Sequence, residues 1–343
     1  MAYTTIDDPT VYFNTVLYAG NGSTNAITGV GHAPDWVWIK QRSGSRSHML
    51  FDAIRGATYR LSSDTNEANG QYSTSLTAFG SDGFTLGAFN DVNESSNTFV
   101  SWSWKANGAG SSNSDGSITS TVSANTTSGF SIVKFTGTGS NATVGHGLGV
   151  APRMIIVKSL GTNNWSVYHG SLGGTKAIFM DITSGSATHV DYWNNTNTTS
   201  SVFSIGISSN MNHSSTDMIA YCFGEVQGFS KFSEYVGNGN ADGTFIYTGF
   251  KPAFIIFKRS SGSGDQWHMF DNKRDGYNFQ NNILFPDASS AEQTSGLPLD
   301  ILSNGFKLRS TGGDVNGSGE TYIYMAFAEE PLVSSNGIPA TAR

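Results

Sequence analysis

Apolar residues in this chain come in short runs separated by Gly-, Ser-, Thr- and Asn-rich stretches, and one order of runs comes round three times. Each round begins with a Gly-X-Gly triplet: Gly20-Asn21-Gly22, Gly137-Thr138-Gly139 and Gly237-Asn238-Gly239. A Pro-led apolar run ending in Lys follows: Pro34-Asp-Trp-Val-Trp-Ile-Lys40, Pro152-Arg-Met-Ile-Ile-Val-Lys158 and Pro252-Ala-Phe-Ile-Ile-Phe-Lys258. Next come two large residues three apart: His48 and Phe51, Trp165 and Tyr168, Trp267 and Phe270. Phe51-Asp52 and Phe270-Asp271 also share an Arg three residues beyond the Asp, at Arg55 and Arg274. Each round closes with Phe84-Thr-Leu86, Phe203-Ser-Ile205 or Phe306-Lys-Leu308, then an aromatic-rich run over 99–104, 218–223 or 322–327.

Side chains alternate faces along a strand, so these runs say what each face meets. In the Pro-led run Trp36 and Trp38 point one way and Val37 and Ile39 the other, which predicts a central strand covered on both sides. Pro at the strand's start costs no ladder hydrogen bond. The closing run has a large face, Val100, Trp102 and Trp104, matched by Ile219, Tyr221 and Phe223 and by Ile323, Met325 and Phe327. Its other face narrows at one slot, filled by Ser103, Cys222 and Ala326, which makes Cys222 a small packed residue. The triplets read as hairpin turns, because Asn-Gly and Gly-Asn adopt positive φ cheaply.

The fold expected is all-β, three tandem β-sandwich-like repeats of about 100 residues. Repeat one spans 1–110 with a linker over 106–128, repeat two 129–227, repeat three 228–331, and a tail 332–343. The polar stretch 106–116 reads as a linker or a long hairpin. Repeats two and three abut at Gly228 and are expected to pack together, and the tail is expected to be mobile or dependent on assembly. Segments 57–80, 170–200 and 275–300 differ most between the copies, and recognition is expected there.

The composition narrows the function. With 343 residues and 37% hydrophobic, the chain can bury a core, yet only 13% is charged, so the surface is polar through Ser, Thr, Asn and Gly. A net charge of −7 gives no basic footprint for nucleic acid. The first residues lack the pattern of a signal peptide, and no apolar run is long enough to span a membrane. One cysteine leaves no disulfide framework and no CxxC site.

No HExxH, GxSxG or P-loop motif occurs, and the seven His are scattered without metal-ligand spacing. No cofactor, metal or catalytic residue is implied, and the reading is non-enzymatic. Asn238-Gly-Asn-Ala-Asp242-Gly243 begins like a calcium loop, but its twelfth position is Gly249, so a plain turn is the better reading. Asp181, Asp191 and Asp217 are the acids a glycosidase would draw on, although no spacing rule links them. Tyr192 and Trp193, followed by Asn194, Asn195 and Asn197, put aromatic rings beside amides in a polar loop. Such a pairing can hold a sugar, ring against C–H face and amides on hydroxyls, or the Trp can fold back as a lid on its own sandwich.

The opening Ala2-Tyr-Thr-Thr-Ile-Asp-Asp-Pro9, the Pro34–Lys40 run, His146-Gly-Leu-Gly149, Gly305-Phe and Tyr324-Met-Ala-Phe327 together resemble repeat-containing virion structural proteins of tailed phages, many from marine and cyanobacterial hosts. The resemblance covers nearly the whole chain. It implies a tail-fibre-like or other virion component, made in the host cytoplasm, released by lysis and partnered by other virion proteins. Two functions follow as expectations: a fibre- or knob-like appendage attaching to a host-surface glycan, or an architectural subunit decorating or joining capsid or tail parts. A glycan-depolymerising spike is a third. Uncovered strand edges and low charge also suggest a homo-oligomer, with a trimer first by analogy to phage appendages.

Overall fold

The two-faced strands become the middle of three sheets. In the computed structural model, which describes residues 3–341, the first unit's main sheet runs Phe13–Ala19, Thr98–Trp104, Trp36–Gln41, Met49–Asp52, each neighbour antiparallel. We call these the opening, closing, Pro-led and fourth strands. The same order recurs as Phe130–Thr136, Asp217–Phe223, Met154–Ser159, Ser166–His169. It recurs again as Ser230–Val236, Thr321–Pro331, Phe250–Arg259, Trp267–Asp271. The described helices are single turns, so the chain is all-β, and none of the described sheets closes into a barrel.

A smaller sheet covers one face of each main sheet. It is Asn25–Thr28, Gly83–Leu86, Leu76–Gly80 in the first unit and Ala142–Gly145 with Val202–Ile205 in the second. In the third it is Phe245–Tyr247, Gly305–Leu308, Leu299–Leu302. The faces packed under these covers carry Val37 and Ile39, Ile155 and Cys222, and Ile255 and Ala326. Cys222 is fully buried in its slot.

The opposite faces converge on one another. Trp36, Trp38, Trp102 and Trp104 share a single core with Ile156, Tyr221 and Phe223 and with Phe254, Met325 and Phe327. Trp36 stacks on Tyr221 with ring centroids 4.4 Å apart, Phe13 on Phe327 at 5.1 Å, and Phe223 meets Phe327 at 6.0 Å. Each pair joins two different units, so every unit touches both others. The large face of the closing strand is apolar because it is buried against two sister sheets, a stronger demand than its own sandwich makes.

Two local readings are corrected. The Gly-X-Gly triplets are corners between a main sheet and its cover, not hairpin turns, since the strands on either side pair with other partners. A Cβ on Gly20, Gly137 or Gly237 would fall 2.1, 2.3 or 2.3 Å from a backbone oxygen, and the second glycines, Gly22, Gly139 and Gly239, hold φ of +67°, +70° and +66°. A buried Asn pins each corner: Asn93, Asn212 and Asn316 accept from the backbone N–H of Asn21, Thr138 and Asn238 at 3.0, 2.7 and 3.0 Å. In the third unit Pro252 is not at the strand's start, because the strand begins at Phe250 and absorbs the proline in a bulge.

The stretch after the first unit forms a hairpin, Ser111–Asn113 with Ser120–Asn125, which adds to the opening strand of the second unit and covers that edge. The equivalent edges of the other units are blunted by side chains. Asn14 Oδ1 takes the Thr15 N–H at 2.9 Å, and Glu225 Oε2 takes the Phe232 N–H at 3.3 Å. The tail as far as 341 turns back on itself through a Val333–Pro339 bridge, and Asp7 accepts from Ser335 N at 2.6 Å. Ala2 of the opening motif and the last two residues of the tail lie outside the described residues.

Candidate functional site

The loop expected to hold a sugar folds inward. Trp193 closes a single-turn helix, Val190–Trp193, is 1% exposed, and meets Tyr168 edge-on at 5.4 Å within the second sandwich. The lid reading of Trp193 holds and the stacking platform does not form, because the indole has a cavity of its own to fill. Tyr192 is half-buried against Phe179 at 5.4 Å, and its hydroxyl accepts from Asn210 Nδ2 at 2.8 Å. Asn194 and Asn195 turn the chain with φ of 51° and 50°, and Asn197 Oδ1 accepts from the Gly174 N–H at 2.8 Å. Asn194 and Asn195 thus shape the turn through their backbone, and the Asn197 side chain holds a neighbouring loop.

Much of the length variation between repeats is spent on joining units. Trp165 Nε1 donates to Ser62 O at 2.9 Å, and Trp267 Nε1 donates to Phe179 O at 2.8 Å. Ser63 Oγ donates to Pro286 O at 2.6 Å. Each loop therefore reaches a sister unit, and only the parts that do not can recognise anything else.

The aromatic surface lies on the third unit. Tyr277 is 83% exposed and Phe279 58%, in the third variable segment, while Tyr247 at 53% and Phe245 at 43% lie on the outer face of the third cover sheet. Among the described residues, the other exposed large aromatic is Tyr72 of the first unit. The tip bearing Tyr277 and Phe279 is held firmly: Asn278 donates Nδ2 to Ile301 O and accepts from Ile301 N through Oδ1, both at 2.9 Å. A signal for this tip was present in the sequence, since Gly276-Tyr-Asn-Phe-Gln-Asn-Asn282 is also an aromatic pair among amides.

The sister units serve as internal controls. Ile246 pairs with Phe306, Ile27 with Phe84 and Val144 with Phe203, so Phe245 matches Ala26 and Thr143, and Tyr247 matches Thr28 and Gly145. The fold thus accepts small residues at both places, and the rings on the third unit are not demanded by packing. Lys307 and Arg309 of the same face correspond to Thr85 and Gly87 and to Ser204 and Gly206. Lys307 Nζ meets Asp242 Oδ1 at 2.7 Å and Arg309 Nε meets Asp300 Oδ2 at 2.6 Å. The lysine beside Asp242 holds its carboxyl below the usual carboxylate range, and this pairing occupies the acid that the calcium-like motif would have offered.

Beside this face a cleft of about 430 Å³ opens between the opening strand and the cover sheet, lined by Tyr3, Glu225, Gln227, Lys231, Tyr247 and Gly249 among others. Tyr3 Oη donates to Gly249 O at 2.7 Å, and burial together with the neighbouring Tyr247 pushes its ionisation up. Lys231 Nζ donates to Glu225 Oε1 at 2.7 Å.

Of the acids considered for glycoside chemistry, Asp217 and Asp181 are engaged with different partners, and Asp191 lies exposed in the first turn of helix Val190–Trp193. Asp217 pairs with Lys134 at 2.8 Å. Asp181 accepts from Trp165 N at 3.1 Å and from Asn164 Nδ2 at 3.0 Å, and burial raises its pKa to about 6. Asp287 repeats that role beneath Trp267 N at 3.1 Å, also raised by burial to about 6. Both act as caps on the fourth strand. Among the described residues no group of three His, Cys, Asp or Glu is placed to hold a metal, and no helix is long and apolar enough to cross a membrane.

A family model described as a domain of unknown function, DUF7483, matches residues 8–331, and the chain belongs to that family. No curated protein matches the chain.

Proposed function

We propose that this member of the DUF7483 family is a non-enzymatic structural protein of a tailed-phage particle, and that its third unit carries the face that attaches to the host surface. The observation that carries the attachment reading is the asymmetry of otherwise equivalent units. Rings at Phe245 and Tyr247 stand where the sister units place Ala26, Thr28, Thr143 and Gly145. Exposing an apolar ring to water is unfavourable unless something covers it, so rings on one unit alone mark the side that meets a partner. The firmly held Tyr277 and Phe279 tip extends that side. The sequence resemblance supplies the particle, and a host-surface glycan is the partner that aromatic faces beside amides and paired charges suit.

A second reading shares the same face. The interlocked Lys307, Asp242, Arg309 and Asp300 beside Phe245 also suit a protein neighbour in the particle, which makes the subunit architectural. Particles carrying Phe245→Ala or Tyr277→Ala separate the two. Lost adsorption with normal assembly supports attachment, and failed assembly supports the architectural role. Unchanged adsorption and assembly in both variants would overturn both the attachment and the architectural reading.

A further inference from the structure

The geometry points to a sugar site: the cleft between the opening strand and the cover sheet of the third unit binds one terminal hexose-type residue of a glycan. This rests on the attachment reading and names the part of the ligand that is gripped. The cleft, at about 430 Å³, lies within the range of small-ligand sites, roughly 300–1,000 Å³. Tyr247 presents a half-exposed ring on one wall. Tyr3 forms another and is fixed in place, since its hydroxyl is bound to Gly249 O and the adjacent Thr4 Oγ1 donates to Gln227 O at 3.0 Å. Gly249 permits this approach, because a Cβ there would fall 2.7 Å from Tyr3 Oη.

The polar groups suit hydroxyls better than ions. Glu225 and Lys231 neutralise one another at 2.7 Å, so the cleft presents acceptor lone pairs and ammonium hydrogens with little net charge. The exposed Gln227 adds an amide that can donate and accept. A pyranose offers C–H groups on one face and hydroxyls around its rim, which matches a ring on the wall and mixed donors and acceptors at the edge. An added peptide strand fits poorly, because the outward Phe232 N–H is already taken by Glu225.

The same flank is closed in the sister units. In the second, strand Ser120–Asn125 lies along it, and Ile118 bridges to Val144. In the first, the Asn14 side chain crosses to Val30 O at 3.1 Å. The third unit leaves its flank open and lines it with two tyrosines.

The test uses the full chain, isotopically labelled, titrated separately with glucose, galactose, mannose and N-acetylglucosamine while backbone amide shifts are read. The expected result is saturable, millimolar binding of at least one sugar, with shifts gathered on 225–231 and 244–249. Tyr247→Ala and Glu225→Gln should each weaken it by about tenfold or more with unchanged melting, whereas Tyr277→Ala should leave it intact. Absence of saturable shifts with every sugar, or shifts that persist in Tyr247→Ala, would overturn the site. The attachment reading fails separately: sugar binding in the cleft with normal adsorption of Phe245→Ala and Tyr277→Ala particles removes that reading and keeps the site. Lost adsorption in those particles without any sugar binding does the reverse.

Discussion

Tyr221 Oη donates to Asp52 Oδ2 across 2.8 Å, from the closing strand of the second unit to the fourth strand of the first. Its counterpart is Trp102 Nε1, which donates to Asp271 Oδ2 at 3.1 Å from the first unit to the third. At the remaining junction the closing-strand residue is Met325, which has no proton to give, and the acid is replaced by His169. The His169 ring instead meets Tyr324 O at 3.1 Å. Donor and acceptor have changed together, since a buried carboxylate facing a thioether would be left short of a partner.

Breaking this junction from its two ends should cost different amounts. Tyr221→Phe removes one donor from Asp52 but leaves the guanidinium of Arg55 in place, so a loss of about 1–3 kcal/mol is expected. Arg55→Ala leaves a buried carboxylate without its cation and should cost about 3–5 kcal/mol. Urea unfolding followed by circular dichroism gives both values. A Tyr221→Phe loss equal to or larger than that of Arg55→Ala would contradict the arrangement.

Two aromatics in polar loops should behave in opposite ways. Trp193→Ala empties a filled site in the second sandwich and should cost about 3–5 kcal/mol. Tyr277→Ala removes a ring that touches mainly water and should stay within about 0.5 kcal/mol. Melting temperatures of the two variants, measured side by side, decide this, and a stable Trp193→Ala protein would reinstate that loop as a surface.

Cys222 should not react in the native protein. Its slot is closed, and burial raises the thiol's pKa far above neutral, so little thiolate is available. An aromatic disulfide reagent should label it only after denaturant is added, and Cys222→Ala should cost about 1 kcal/mol. Prompt labelling of the folded chain is the contrary result.

The strand pattern was legible because it is local. Val37 and Ile39 against Trp36 and Trp38 state that both faces are covered, whatever covers them. What the pattern does not state is the identity of the second cover, and here it is the two sister sheets. Trp102, Tyr221 and Met325 carried that information, as a large face left over after one sandwich was built. The two readings of the Tyr192–Trp193 loop stay open in the sequence for a related reason. A Trp among Asn and Thr looks exposed when counted along the chain, yet helix Val190–Trp193 turns it beneath its own strand. Tyr277 and Phe279 had the same kind of surroundings, and only the fold separates the two pairs. The corner residues Asn93, Asn212 and Asn316 escaped notice because an Asn in an Asn-rich chain carries no contrast, even though each recurs at one structural position.

The three lysines that end the Pro-led strands should make stability rise on the alkaline side of neutrality. Lys40, Lys158 and Lys258 are fully buried, and burial lowers each pKa from 10.5 to about 8. Their ammonium groups donate to backbone oxygens, Lys40 to Gln41 and Gly44, Lys158 to Ser159 and Gly161, Lys258 to Ile182 and Asp265. Between pH 8 and 10.5 the folded chain therefore holds fewer protons on these groups than the unfolded chain does. Stability increases with pH wherever the unfolded state binds more protons, so the cost of burying the cations is relieved across that window. Above about pH 10 the half-buried Tyr18 and the buried Tyr221 and Tyr235 act in the opposite sense. Burial raises their pKa, the unfolded chain loses those protons first, and stability falls again. The melting temperature should climb by roughly 5 °C from pH 8 to a maximum near pH 10. Lys158→Met should make that climb shallower, because one of the three groups no longer titrates. A melting temperature that is flat or falls steadily from pH 8 upward would show that these lysines keep their ordinary pKa in the folded chain.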